Sequence, residues 1–109
     1  MKDIKKFLEA IRKEEFVEGH EVLEDRWREL KKNPETLDES KILKGLINGS
    51  TALALKIMGK ETGAKTVWST FEKYRSLIKS QSYANSKYYQ KAEKALDDKY
   101  KQYMGTSNH

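Results

Sequence analysis

The chain has 109 residues, of which 36% are charged and 37% hydrophobic, with one proline and no cysteine. That is one domain at most, too charged for a membrane protein and too regularly apolar for a disordered chain; the lack of cysteine excludes disulfides, thiol catalysis, thiolate zinc sites and iron–sulfur clusters. The net charge of +5 is unevenly placed, with 11 Lys/Arg against 12 Asp/Glu in residues 1–55 and 11 against 5 in residues 56–109.

Five segments repeat their apolar residues at helical period, and none alternates at period two. The first, about residues 3–13, puts Ile4, Phe7, Leu8 and Ile11 on one face. The second, about 15–32, should stop at Asn33-Pro34, because proline disfavours helix in the residue before it. The third runs from Ser40 to Met58, with Asp38 or Ser40 as its cap and Gly59 as its terminating residue. The fourth, about 62–79, carries the stripe Ala64, Val67, Trp68, Phe71, Tyr74 and Ile78. A polar stretch at 80–86 separates it from a fifth helix of about 87–104, and the last residues, 105–109, are expected to be a disordered tail. The fold class is therefore all-α, a small multi-helix bundle: a four-helix core over 1–80 and an added helix over 81–104.

The third segment is apolar around most of its circumference, which marks a central helix with partners on several sides. Gly45, Gly49 and Ala52 form a separate strip on it where another backbone can approach closely. Each internal glycine costs about 1 kcal/mol relative to alanine, so a packing role is the expectation.

The residues most suggestive of chemistry lie on the second segment. With His20 at zero and about 100° per residue, Phe16, Leu23 and Trp27 fall at about −40°, about −60° and about −20°. His20 is thus centred on the apolar stripe, Glu24 flanks it one turn on, and Glu21 sits at the edge. A carboxylate in that position needs a partner or a metal. Three readings follow. His20 and Glu24 can be a satisfied polar pair locking this helix to the third through Ser50, Asn48 or Thr51. They can be ligands of a divalent metal ion, with Glu21 as a third, although one helix supplies too few donors. Or they can do metal-free acid–base work. No phosphate loop, HExxH pair or GxSxG elbow occurs, and His109 falls in the expected tail.

The run Phe16-Val17-Glu18-Gly19-His20-Glu21-Val22-Leu23-Glu24-Asp25-Arg26-Trp27 resembles the signature of a prokaryotic family known as domain of unknown function 309: a phenylalanine, then His-Glu-x-Leu-Glu, then a tryptophan three residues on. Leu43-Lys44-Gly45-Leu46-Ile47 with Gly49-Ser50-Thr51-Ala52, and Gly59-Lys60-Glu61-Thr62-Gly63-Ala64, extend the likeness, which covers about residues 4–78. The resemblance implies a small all-helical protein of unknown function, a scaffold or interaction module. A metal-dependent hydrolase, the label often attached to the family, is the alternative. A site carried over from it falls on His20, Glu21, Glu24 and Trp27, with Asn48 standing where a longer polar residue is expected.

The fifth segment sets Tyr88, Tyr89, Ala92, Ala95, Leu96 and Tyr103 on one face and Lys87, Lys91, Lys94 and Lys101 on the other. A nucleic-acid surface normally interleaves aromatic and basic residues, so the expectation is a tyrosine stripe packed on protein and a solvated lysine face; weak nucleic-acid binding is a second alternative. Packing of that helix across a homo-oligomer is also compatible with the pattern. The opening residues hold no apolar run of signal-peptide length. Ala52 to Met58 is interrupted by Lys56 and falls far short of the roughly 20 residues of a membrane span, so a soluble, cytoplasmic protein without membrane contact is expected.

Overall fold

The computed structural model describes residues 2–105; residues 106–109, with His109 and most of the expected tail, lie outside the described residues. The architecture is all-α. Helix α1 (Lys2–Arg12) is followed by α2 (Phe16–Val22), α3 (Glu24–Lys31), α4 (Leu37–Ile57), α5 (Glu61–Tyr74), the single turn α6 (Leu77–Ser80) and α7 (Ser86–Tyr100). A π-helical turn over Lys101–Gly105 extends α7.

α1 buries Ile4, Phe7, Leu8 and Ile11, as its spacing requires. It ends in a turn where Glu14 takes φ +63°, a left-handed conformation that costs a non-glycine residue about 1–2 kcal/mol. Glu14 is held there from outside the turn: its carboxylate accepts from Lys99 Nζ at 2.7 Å and from the Tyr103 hydroxyl.

The expected second helix is in fact two, broken at Leu23 (φ −94°, ψ −7°). No glycine or proline marks the break. Leu23 is fully buried, and α2 is tied to α4 by Ser50, whose hydroxyl donates to the Phe16 carbonyl at 2.6 Å. Packing against α4 thus overrides local helix preference. Gly19 makes that approach possible, since a Cβ there would stand 2.8 Å from Ser50 Oγ and 3.2 Å from Ile11 Cδ1.

α4 starts earlier than expected. A 3₁₀ turn at Pro34–Thr36, closed by Asn33 Oδ1 accepting from the Glu35 N–H at 3.0 Å, feeds straight into Leu37. Neither Asp38 nor Ser40 caps the helix; the Ser40 hydroxyl donates back to the Leu37 carbonyl at 2.5 Å. Its C-terminus is a Schellman turn: Gly59 takes φ +81°, the Gly59 N–H bonds the Lys56 carbonyl, and the Lys60 N–H bonds the Leu55 carbonyl. α4 is central, with eleven buried residues from Ser40 to Ala54 and packing on α2, α3, α5, α6 and α7. The glycine strip is packed as its spacing implies. A Cβ on Gly45 would lie 3.2 Å from Tyr74 Cβ, and one on Gly49 2.9 Å from Leu96 Cδ1.

α7 completes the same core. Tyr89, Ala92 and Leu96 are buried against α1 and α4, and the Tyr89 hydroxyl donates to Glu39 Oε2 at 2.5 Å. Burial, reinforced by that carboxylate, pushes the Tyr89 phenol far above its ordinary range. Tyr100 stacks on Trp68, with ring centres 4.0 Å apart. Arg75 bridges α5 to α7 through Glu93 (2.8 Å) and Asp97 (2.9 Å). Lys87, Lys91, Lys94 and Lys101 face outward. No helix among the described residues is long and apolar enough to cross a membrane.

Candidate functional site

The break at Leu23 sets the site. It lets α2 and α3 each lie along α4, and His20, one turn from the end of α2, faces the Thr51 turn of α4. His20 Nδ1 lies 2.6 Å from Thr51 Oγ1, and Nε2 lies 2.6 Å from Glu24 Oε1. Glu24 Oε2 in turn accepts from Arg28 Nη2 at 2.9 Å. Thr51 of α4, His20 of α2, and Glu24 and Arg28 of α3 therefore form one continuous polar line, half-buried at Thr51, His20 and Glu24 and exposed at Arg28.

The donor and acceptor roles follow from chemistry. An ionised Glu24 can only accept, so Nε2 carries a proton in either charge state of the ring. In the neutral ring Nδ1 accepts from the Thr51 hydroxyl. In the protonated ring Nδ1 donates, and the hydroxyl is free to donate to the Ile47 carbonyl, 3.0 Å away. Thr51 can serve both states without moving.

Thr51, His20 and Glu24 of this line border a cavity of about 220 Å³. His20, Glu24 and Trp27 stand on the α2–α3 side, and Lys44, Ile47, Asn48 and Thr51 on the α4 side. His20 and Thr51 also line a neighbouring cavity of about 190 Å³ with Val17, Leu55 and Met58. That one shares Val17, Ala54 and Met58 with a third of about 140 Å³. The three make a groove along α4 whose lining is mainly apolar throughout, with Glu24, Lys44 and Asn48 at one end and Glu14 beside Ile57 and Met58 at the other. Val17, Ile57 and Met58 are 50%, 54% and 57% exposed there, which is unusual for such side chains in so small a core.

Of the residues expected at the site, His20, Glu24, Trp27 and Asn48 come together and Glu21 does not. Glu21 is exposed and lines no part of the groove. Asn48 reaches the cavity, but its amide donates to the Lys44 carbonyl at 2.7 Å, back along its own helix. Trp27 is covered by Lys31, whose Nζ lies 4.1 Å from the ring centre. Among the named lock partners, Thr51 meets His20, and Ser50 secures the backbone of α2 instead. Arg28 was missed, although its spacing of four from Glu24 is the usual signal for a helical ion pair. Lys44 and Ile47 carried no local signal.

A divalent metal would have to displace the partners these donors already hold. Both His20 nitrogens and both Glu24 oxygens are already engaged, and the Arg28 guanidinium adds a positive charge where a metal would need a negative one. Among the described residues no group of three or more His, Asp or Glu side chains gathers in metal-binding geometry.

The family model Domain of unknown function (DUF309) matches residues 4–67, from α1 to the middle of α5, and the chain belongs to that family. The match takes in the whole polar line and the groove. It stops short of Ile78, to which the sequence likeness extends, and leaves α7 outside. No curated protein and no solved structure gives a significant match.

Proposed function

We propose that the protein is a helical interaction module whose groove along α4 receives an apolar-faced helix of a partner protein. The observation that supports this most is the exposed Val17–Ile57–Met58 edge, continuous with a polar line already complete without a metal. From Lys44 to Met58 α4 rises about 21 Å at 1.5 Å per residue, four turns, which is ample for a bound helix whose anchors at i, i+4 and i+7 span about 10 Å. The apolar lining accepts the anchors, and exposed Lys44 at one end suits an acidic group on the partner. In this reading His20 and Glu24 fix the α2–α3 wall, and Trp27 provides its aromatic surface.

The test is site-specific photo-crosslinking in cells, with a benzophenone residue at Val17, at Met58, or at Lys65 on α5 as a control. The proposal expects one discrete adduct from the first two positions, identical by mass spectrometry and absent from the third. An adduct of twice the chain mass would replace the partner protein by a second copy. Equal adducts at all three positions would overturn the reading.

The line from hydroxyl to imidazole to carboxylate also favours a second reading, metal-free acid–base chemistry with Thr51 as nucleophile. Thr51 sits inside α4, however, where backbone N–H groups are spent on helix bonds and no oxyanion pocket is formed. Ester hydrolysis lost on Thr51→Val in a folded protein would support that chemistry.

A further inference from the structure

A separate cavity, of about 260 Å³, opens where α1 runs beside α7, and it is lined by Arg12, Lys91, Lys94, Ala95, Asp98 and Lys99. Four cations face one carboxylate. The pairings within it are uneven. Lys94 reaches Asp98 at 3.4 Å, and Lys99 is committed to Glu14 at 2.7 Å. Glu9, also on α1, is held by Lys13 at 2.7 Å. Arg12 and Lys91 have no carboxylate partner among the described residues. Lys91 lies 5.6 Å from the Tyr88 ring centre, and Lys5 approaches the same ring at 5.3 Å. Lys5 likewise has no ion pair among the described residues. Lys5, Lys91 and Arg12 thus follow one another along the seam between α1 and α7, with a half-buried tyrosine between the first two.

We infer that this seam binds the phosphate backbone of nucleic acid, without reading its sequence. Three unpaired, exposed cations on two helices of one rigid core are pre-positioned, so binding costs no broken ion pair. Lys5 and Arg12 are two turns apart, about 10 Å along α1, which spans about three phosphates of one strand at about 3.4 Å each. Tyr88 is too covered to act as a stacking platform, and no donor set for base edges accompanies the cations; contacts to phosphate alone carry position, not sequence. The sequence pattern had placed lysines and tyrosines on opposite faces of α7. In the structure Lys91 of α7 itself and Lys5 of α1 both approach the Tyr88 ring, so basic and aromatic residues meet at this edge.

Fluorescence anisotropy with a labelled duplex of about 20 base pairs tests this, using the full chain at several salt concentrations. About three neutralised phosphates predict a slope of log K against log salt near −3, or about a 60-fold loss of affinity between 50 and 200 mM salt. Arg12→Ala/Lys91→Ala should lower that slope by about 2. Lys60→Ala/Lys65→Ala on and before α5, an equal change in net charge, should leave it unaltered, and a duplex of scrambled sequence should bind equally. Both double variants alter exposed residues, and circular dichroism checks that they fold. The inference fails if no binding is seen at 50 mM salt. It also fails if the two double variants weaken binding equally, since that would be attraction to net charge alone.

Discussion

Single residues separate close packing from mere helix preference most cleanly at the glycines. Gly19→Ala gains about 1 kcal/mol of helix preference, yet its Cβ would press on Ser50 Oγ and Ile11 Cδ1 at 2.8 and 3.2 Å. The short, buried Ser50 side chain is fixed by its bond to the Phe16 carbonyl and has nowhere to retreat. Overpacking of this kind costs about 1–3 kcal/mol, so the variant should unfold at lower denaturant. Gly63→Ala is the opposite case. Its Cβ would meet only Leu55 Cδ1 at 3.6 Å, an ordinary contact, and it should stabilise by about 0.4–1 kcal/mol. Urea melts of the two variants check both signs. The sequence marks Gly45 and Gly49 as packing residues because they fall inside a long apolar helix. Gly19 carries no such mark, since its contact comes from the approach of α2 to α4.

Among the elements, the five apolar repeats announce five helical stretches, but the second is broken at Leu23 and the fourth, expected over about 62–79, ends at Tyr74 before the separate turn α6; the errors lie where tertiary contacts decide. The break at Leu23 has no proline, glycine or polar cluster to signal it; the separate seats of α2 and α3 on α4 produce it. His20 and Glu24 are legible as a pair from their spacing, whereas Lys44 and Ile47 join them only because α4 passes there. The attachment of α7 through buried Tyr89, Ala92 and Leu96 follows the expected stripe, and two polar clamps that no local pattern reveals reinforce it. Arg75, itself about one-fifth exposed, joins Glu93 and Asp97, and these contacts hold its guanidinium even more firmly protonated than usual. Arg75→Met leaves two partly buried carboxylates without their cation and should cost about 2 kcal/mol by thermal or urea unfolding. Lysine at that position should recover only part, because one ammonium cannot reproduce the guanidinium fork.

Glu14 is the second clamp. Its bonds from Lys99 and Tyr103 hold its carboxyl below the ordinary 4.5. A carboxylate depressed on folding adds stability that is complete above its unfolded value and is lost as the pH falls through its folded value. The clamp should therefore act fully at neutral pH and weaken below about 4.5, loosening the end of α7. Amide exchange followed by NMR should show protection at Tyr100–Tyr103 falling in that acid range. In Glu14→Gln the same amides should be less protected at neutral pH and change little with acid.

The whole molecule extends 44 × 23 × 21 Å, with α4 as the shared support of two unlike faces. One is the groove between α2–α3 and α4, which lies within the family match; the other is the cationic seam of α1 and α7, half of which lies outside it. The basic balance of residues 56–109 maps onto neither face: of the three seam cations only Lys91 comes from that half, while Lys5 and Arg12 come from the nearly neutral one. What kind of protein this is turns on whether His20 is a finished part of the groove wall or a ligand awaiting a metal. Imidazole nitrogen NMR on labelled protein, with the ring neutral and then with one equivalent of zinc added, distinguishes these directly. The account predicts protonated Nε2, unprotonated Nδ1, and no change with zinc, as Glu24 and Thr51 retain the ring. Zinc-induced shifts of either nitrogen that vanish in Glu24→Gln would contradict it.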